Sequence, residues 1–385
     1  MEKESFHFSY IILLLTVVAS HFLASIQPRC HEDERSALVE FKATFFTRKP
    51  QCCYSTTSDE KAKIESWKAL TEETQSDCCY WAGVKCDKIS GHVIGLDLSC
   101  SCVSGHIPHS LGNLTPLVHL DLSSNRLIGT TPSLQNLTLL THLDLRENSL
   151  HGVIPNYFGN ILKLNHLDLS YNQFGGEVPS SFQRLSNLKH LNLSGNFLTG
   201  EVPSFLGNLV QLKCLSLTGN MLSGQIPSSL GNLVQFTSLD FSVNRLTGEI
   251  PSSIGNLVQL IDIDLGNLVQ PIGSLKQLKL LNLSNNMLSG LLPPFLANLT
   301  NLEALDLSQN QLSGEIPQEL TQLTSLAVFN VSYNRLTGPI PQSRQFATFE
   351  NNSYKGNSGL CGTPLSRKCG DLKASSPSSP TSEED

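Results

Sequence analysis

The stretch Leu164-Asn165-His166-Leu167-Asp168-Leu169-Ser170-Tyr171-Asn172 decides the fold, because its pattern Leu-x-x-Leu-x-Leu-x-x-Asn recurs at a nearly fixed interval. Successive copies of the asparagine are 23, 24, 24, 24, 24, 42, 24 and 24 residues apart, at Asn125, Asn148, Asn172, Asn196, Asn220, Asn244, Asn286, Asn310 and Asn334. A leucine-rich unit with this period predicts a solenoid, in which each unit stacks on its neighbours. Such a fold favours an extended binding surface over an enzyme core.

Each unit is expected to contain one short strand and an irregular return. The Leu-x-Leu part alternates, so its leucines point into the solenoid and the residues around them face outward. The predicted fold is therefore α/β, a right-handed leucine-rich-repeat solenoid with a parallel β-sheet on its concave face. Four residues after each asparagine comes a glycine and seven residues after it a proline, which predicts a turn and the end of pairing. The asparagines are expected to satisfy backbone groups at the turn.

The 42-residue interval equals one full unit of 24 residues plus 18. This predicts one shortened unit between residues 260 and 275, with Ile263-Asp264-Leu265 as its strand. We therefore expect about eleven units over residues 91–341, ten in frame and one shortened.

The start of the chain has the features of a secreted protein. The apolar run 11–19 predicts a signal peptide over residues 1–25. A retained signal anchor is the alternative, but His21 leaves the run short for a bilayer span. The net charge of -7 argues against a nucleic-acid partner. N-glycosylation is predicted at seven Asn-x-Ser/Thr sites, of which Asn192, Asn282 and Asn330 fall in the strands: Asn113, Asn136, Asn192, Asn282, Asn298, Asn330 and Asn351.

The eleven cysteines cluster at the two ends, and only Cys214 lies among the regular repeats. In a secreted chain such clusters predict disulfide-capped ends, and the odd count makes Cys214 the candidate unpaired thiol. Paired Cys-x2-Cys sets, which zinc would favour, are absent from the sequence. Near the first cluster, Leu38, Phe41 and Phe45 share one face of a predicted helix that would seal the stack.

Two segments resemble known caps. Cys78-Cys79-Tyr80-Trp81-Ala82-Gly83-Val84-Lys85-Cys86 resembles the N-terminal cap of plant extracellular leucine-rich-repeat proteins, and Gly359-Leu360-Cys361-Gly362-Thr363-Pro364-Leu365 resembles the C-terminal cap of plant receptor-like proteins. The resemblance implies caps over 26–90 and 342–370, followed by an acidic Ser/Pro-rich tail over 371–385 that we expect to be disordered. It also implies the disulfides Cys30–Cys78, Cys79–Cys86 and Cys361–Cys369, and leaves Cys52, Cys53, Cys100 and Cys102 unassigned.

By this resemblance, the chain is expected to be the extracellular part of a plant receptor-like protein. Such a protein would bind a peptide, carbohydrate or protein on its concave face and signal in defence or development through a partner receptor kinase. We expect it in the apoplast, or at the plasma membrane if a membrane helix follows Asp385. The alternatives are a secreted enzyme inhibitor like the polygalacturonase-inhibiting proteins, which share the N-terminal cap, and a truncated gene product.

We call the short strand of one unit, with the turn that follows it, a rung. The candidate ligand-binding residues are the outward-facing positions of the first rungs: His119, Asp121, His142, Asp144, Arg146, Glu147, His166, Asp168, Tyr171 and His190. The simplest interpretation is a solvated polar sheet. A sharper hypothesis is a pH-responsive strip, in which histidines about 5 Å apart beside aspartates titrate between about pH 5 and 8. A metal site is disfavoured because a flat ladder sets imidazoles side by side. We expect no enzyme activity and no cofactor, because no nucleophile is placed beside a His/Asp pair in a closed pocket.

Overall fold

In the computed structural model, which describes residues 29–44, 46–47, 63–67, 77–257 and 278–370, the repeats stack into the predicted solenoid. Eleven strands of the described chain form one continuous sheet, which we call the concave sheet. The first strand is antiparallel and the other ten are parallel. They are Val84–Cys86, Val93–Asp97, His119–Asp121, His142–Asp144, His166–Asp168, His190–Asn192, Cys214–Ser216, Ser238–Asp240, Leu280–Asn282, Ala304–Asp306 and Val328–Asn330.

A second line of strands follows the asparagines, on the far side of the turn. The repeat pattern did not predict it, because these strands are short and share no apolar pattern: both residues of Phe197–Leu198 are apolar, whereas Ser223–Gln225 has no apolar side chain. They are Phe46–Thr47, Val103–His106, Arg126–Gly129, Ser149–Val153, Gln173–Gly176 and Phe197–Leu198 in one sheet, Ser223–Gln225 and Arg245–Thr247 in another, and Ser313–Glu315, Arg335–Pro339 and Gly359–Cys361 in a third.

The proline that recurs in most units is followed directly by a short 3₁₀ helix. Its fixed φ suits the residue that precedes a helical turn. These helices are His109–Asn113, Asn156–Asn160, Ser180–Arg184, Ser204–Asn208, Ser228–Asn232, Ser252–Asn256, Pro294–Asn298 and Gln318–Gln322. Shorter 3₁₀ turns belong to the two ends of the chain: Lys63–Ser66, Cys78–Tyr80, Phe346–Thr348 and Asn351–Ser353.

The asparagine ladder has the structural role expected of it, as Asn172 shows. Its buried amide nitrogen donates to the carbonyl oxygens of Leu145, Leu169 and Ser170, at 2.9, 3.3 and 3.1 Å. Its Oδ1 accepts the backbone N–H of Leu150 at 3.0 Å, so each asparagine ties its own unit to the preceding one. The acceptor contact recurs at Asn125, Asn148, Asn196, Asn220, Asn244, Asn286, Asn310 and Asn334.

The described strands on either side of the long interval are neighbours in the concave sheet. Strand Ser238–Asp240 pairs directly and in register with Leu280–Asn282. The ladder is equally continuous, because Leu246 N–H donates to Asn286 Oδ1 at 3.0 Å. The predicted strand at 263–265 lies outside the described residues, but no rung separates its two neighbours. The shortened unit stays a prediction, while in the described residues the concave sheet and the asparagine ladder run directly from the unit of Asn244 to the unit of Asn286.

The N-terminal end is sealed by helix α1, Glu32–Ala43, together with two tryptophans. Leu38 and Phe41 are buried on its inner face, as predicted, whereas Phe45 lies outside the described residues. Trp67 stacks on Trp81 with ring centroids 5.3 Å apart. The described disulfides of this end are Cys30–Cys78 and Cys79–Cys86, which match the pairings that the resemblance implies.

The other described cysteines are bonded as well, except for Cys214. Cys361 and Cys369 form a disulfide in the C-terminal cap, as implied. Cys100 and Cys102 are also disulfide-bonded. Cys214 is a free, half-buried thiol on the concave sheet, as predicted. Both ends of the solenoid are therefore cross-linked, which restricts the unfolded chain where a solenoid otherwise frays.

Candidate functional site

The histidine column lies where the sequence places it, on four consecutive rungs. His119, His142, His166 and His190 are register partners along the concave sheet. The rings of His119 and His142 stack with centroids 4.3 Å apart, and those of His142 and His166 at 4.2 Å with an interplanar angle of 10°. The ring of His190 tilts away, at 5.6 Å from His166. The column is thus a tightly stacked imidazole ladder rather than a row of separate solvated side chains.

The carboxylates of the aspartate column accept backbone hydrogen bonds at the ends of their own strands. Asp144 and Asp168 are each only 5% exposed, so the prediction that they face solvent is wrong. The reason is local: Asp168 Oδ1 accepts the N–H of Ser170 at 2.9 Å, which closes the turn at the end of the strand. Asp121, which is half-buried, does the same for Ser123 at 2.9 Å. These carboxylates first of all terminate the rungs.

Burial shifts the protonation of this cluster. Loss of solvent, followed by repulsion from His166 and His119, lowers the pKa of His142 from 6.5 to about 4. Desolvation also lowers the pKa of His166. With this pKa the imidazole of His142 stays neutral between pH 5 and 8, and pH-responsive binding by the strip stays a prediction. Desolvation raises the pKa of Asp144 from 3.8 to about 7, with the neighbouring charges of Asp121 and Asp168 acting in the same direction.

A pH-dependent stability difference is expected on replacing Asp144 with asparagine. The folded chain holds the Asp144 proton more tightly than the unfolded chain, so wild-type stability is lost as pH rises from about 4 to about 7. His142 acts oppositely, because its lowered pKa costs stability as pH falls from 6.5 towards 4, but it is present in both proteins. Urea unfolding in EDTA should show Asp144→Asn gaining stability relative to wild type up to about pH 7 and not beyond. A difference that is constant with pH would contradict this.

The most accessible candidate residues lie just past the strand ends. Tyr171 is 60% exposed, and its ring lies over Gly195 of the next rung, where a Cβ would come within 2.8 Å of Tyr171 Cδ1. Glu147 is exposed and accepts a hydrogen bond from Ser124 Oγ at 2.8 Å. Arg146 is also exposed, with Nε 3.6 Å from Asp144 Oδ2. These three side chains present an aromatic ring and both charges to solvent.

The structure extends the histidine column into a part of the sheet that the sequence reasoning did not assign. Past Cys214 and Ser238, the same register position is occupied by Leu280, Ala304 and Val328. Leu280 and Val328 are exposed. The signal was present, since each of these residues precedes its rung's central leucine or phenylalanine. The concave sheet therefore changes from imidazole-rich to apolar along its length.

The predicted glycosylation sites fall into two environments. Asn113, Asn136, Asn298 and Asn351 are exposed. Asn192, Asn282 and Asn330 are half-buried on the concave sheet. There, Asn192 Nδ2 donates to Asp168 Oδ2 at 3.0 Å, and Asn330 Nδ2 donates to Asp306 Oδ2 at 3.2 Å. The amide nitrogen that a glycan would modify is thus already engaged at these two concave positions.

Comparison with sequence families supports this architecture along most of the chain. The model of the leucine rich repeat N-terminal domain matches residues 31–87. Leucine rich repeat models match residues 276–336 and, unit by unit, 116–137, 139–161, 163–185, 187–209, 211–233 and 235–257. The chain belongs to the leucine-rich-repeat family. Members of this family are generally ligand-binding proteins.

Individual relatives of this leucine-rich-repeat chain include a plant receptor-like protein. Receptor-like protein 19 of Arabidopsis thaliana is 39% identical over 138 residues, which are 34% of this chain and 13% of that protein. The chain thus spans only a small part of this relative's length. The Arabidopsis receptor kinase HAESA, solved with the peptide hormone IDA and the co-receptor SERK1, is 31% identical with a TM-score of 0.67; the match covers 83% of this chain and 49% of that one.

A second solved structure that resembles this chain is a plant ice-binding protein. It is 33% identical with a TM-score of 0.70, over 89% of this chain and 98% of that one. The match between the two leucine-rich-repeat chains therefore covers most of the length of each.

The described part of the chain contains no helix that is long and apolar enough to cross a membrane. The predicted signal peptide lies outside that part.

Proposed function

We propose that this chain is the extracellular ligand-binding part of a receptor-like protein, which binds a peptide along the concave sheet. The observation that carries the proposal is the exposed group Arg146, Glu147 and Tyr171, which lies at the edge of the imidazole ladder. The similarity of the chain to Receptor-like protein 19 and to HAESA, solved with a peptide hormone, supports the choice of a peptide as the ligand. Signalling in defence or development would pass through a partner receptor kinase, on the outer side of the plasma membrane.

An extended peptide is the ligand class that best fits this surface. Neighbouring rungs lie about 4.8 Å apart, so a peptide that rises about 3.3 Å per residue would cross several rungs with few residues. Arg146 and Glu147 offer charges for its polar groups, and Tyr171 offers an aromatic face. Leu280 and Val328, farther along, offer apolar contacts for its other end. Of the ten candidate residues, Asp144 and Asp168 would support the surface rather than contact the ligand, because they are buried.

The proposal is tested by selecting peptides and then removing the aromatic anchor. A phage-displayed library of random linear peptides would be selected on the immobilised chain, and the affinity of synthetic copies measured. We expect Tyr171→Ala to weaken binding by about tenfold or more, since exposed aromatic anchors dominate such interfaces. Tyr80→Ala is the matched control, because Tyr80 is 75% exposed in the N-terminal cap, away from the concave sheet. Failure to enrich any peptide, or equal binding by Tyr171→Ala, would contradict the proposal.

The enzyme-inhibitor alternative is not favoured by the relatives, which include receptor-like proteins and receptor ectodomains. Ice binding is a second candidate, since the ice-binding protein is matched over 98% of its length. One feature of this chain favours it: four consecutive 3₁₀ helices begin with an exposed serine, at Ser180, Ser204, Ser228 and Ser252. Inhibition of ice recrystallisation by the purified chain, without peptide binding, would support this candidate.

A further inference from the structure

A cluster of side chains of the types that ligate metals lies where the imidazole ladder meets the aspartate column. His142, Asp144 and His166 each have one potential ligand atom within 4.8 Å of those of the other two. The sequence disfavoured a metal site because imidazoles on a ladder lie side by side, and the rings of His142 and His166 are indeed nearly parallel. The buried Asp144 carboxylate changes that argument, because it closes a triangle that two stacked imidazoles alone cannot form.

Asp144 is poorly satisfied compared with its counterpart one rung along. Asp168 Oδ1 accepts from both the N–H and the hydroxyl of Ser170, and its Oδ2 accepts from Asn192 at 3.0 Å. At Asp144, the one hydrogen bond that Oδ1 accepts from the described residues comes from the N–H of Arg146, because Arg146 replaces the serine. Its Oδ2 has the long 3.6 Å ion pair with Arg146 Nε. A buried carboxylate oxygen with so weak a partner is costly unless a cation or donor reaches it.

The charges around the cluster also favour a cation. Asp121, Asp144 and Asp168 are register partners on three consecutive rungs, so three carboxylates face one another at strand spacing. Like charges directly opposite each other on a sheet are destabilising. Among the described residues, Arg146 is the cation paired with one of these three carboxylates, and its side chain is half exposed. An ion between the two columns would neutralise the central carboxylate from the side opposite the strand-ending turn.

We propose that His142, Asp144 and His166 bind one divalent transition-metal ion of the zinc type. Two imidazole nitrogens and one carboxylate oxygen are a recurrent ligand set for Zn²⁺. Tetrahedral bonds of about 2.1 Å place ligand atoms about 3.4 Å apart, so the three groups must close by little more than about 1 Å. Rotation of an imidazole about χ2, a broad torsion, supplies most of that movement. The fourth position would face the concave surface, where it could take a carboxylate or imidazole from a bound ligand.

The test uses the full secreted chain, expressed without a polyhistidine tag and stripped with EDTA. Isothermal titration with ZnCl₂ should show one saturable site per chain. The double variant His142→Ala/His166→Ala should lower the affinity by about a hundredfold, and Asp144→Asn by about tenfold or more, because even outer-sphere partners of metal ligands contribute about 10–100-fold. Zn²⁺ should also raise the melting temperature of wild type but not of the double variant.

The matched control removes the same number of imidazoles elsewhere. His106→Ala/His151→Ala changes two exposed histidines outside the concave sheet and should leave the Zn²⁺ affinity unchanged. Circular dichroism would confirm that all variants are folded. Absence of saturable binding, or equal loss in both double variants, would overturn the site. Unchanged affinity in Asp144→Asn would overturn the three-ligand assignment. Peptide binding need not depend on the metal, so this proposal and the proposed function can fail separately.

Discussion

Replacing Asn172 with alanine is expected to lower the free energy of unfolding by about 3 kcal/mol. The main loss is the acceptor for the backbone N–H of Leu150, which is a fully buried residue. An unpaired buried donor costs about 1–3 kcal/mol by itself. The three donations from Nδ2 are lost as well, although the carbonyls of Leu145 and Leu169 keep the amides of Asn148 and Asn196 as donors. Urea unfolding followed by circular dichroism would measure the change.

Asn187→Ala is the matched control for this prediction. Asn187 is exposed and makes one described side-chain hydrogen bond, to the carbonyl oxygen of Leu162 at 2.9 Å. We expect the control to change stability by no more than about 0.5 kcal/mol, as for most surface substitutions. Because units of a solenoid unfold partly independently, limited proteolysis should also show earlier cleavage near the Asn172 unit than elsewhere. Equal effects of the two substitutions would show that the ladder adds little to stability.

Replacing Gly83 with alanine is expected to destabilise the N-terminal cap by at least about 2 kcal/mol. Gly83 has φ +84, and a Cβ there would lie 2.2 Å from the backbone oxygen of Asp97. That oxygen cannot move freely, because Asp97 belongs to the first parallel rung and donates its own N–H to Gly83 O at 2.8 Å. The substitution would therefore push strand Val84–Cys86 away from the stack and expose the end of the core. Thermal unfolding monitored by tryptophan fluorescence should report it, since Trp67 and Trp81 both lie in this cap.

Gly175→Ala is the control for the second prediction. Gly175 lies in strand Gln173–Gly176 with an ordinary backbone conformation, and a Cβ there would come no closer than 3.7 Å to the nearest atom, Phe197 O. An alanine fits this space and reduces the freedom of the unfolded chain, so stability should be unchanged or raised by about 0.4–1 kcal/mol. If Gly83→Ala were tolerated as well as the control, the close approach at Gly83 would not be a constraint on the cap.

Much of the fold could be predicted because the sequence repeats it. The ten in-frame units, the inward leucines and the asparagine ladder follow from a short pattern whose period matches one turn of the solenoid. The disulfides Cys30–Cys78, Cys79–Cys86 and Cys361–Cys369 came from the resemblance to known caps. The second line of strands was missed, because strands such as Phe197–Leu198 depend on pairing with the neighbouring unit more than on their own residues.

The sequence predicted where the candidate site lies, but not the burial or the protonation of its side chains. Register alone placed His119 to His190 in one column, and strand spacing implied that they would be close. Register does not tell which carboxylates turn back to cap their own strand, and this is what buries Asp168 against Ser170. It also does not tell how far stacking removes water from His142, which decides that this imidazole stays neutral at physiological pH.

The sequence by itself determined the solenoid, its inward and outward faces and its capped ends, because those depend on periodicity and on contacts within one or two units. Only the tertiary structure decided that Ser238–Asp240 pairs with Leu280–Asn282, since that pairing joins residues across a long interval. It also decided that potential metal-ligand atoms of His142, Asp144 and His166 lie within 4.8 Å of one another. Burial and the distances between side chains of successive rungs are properties of the stacked units, and no single unit specifies them.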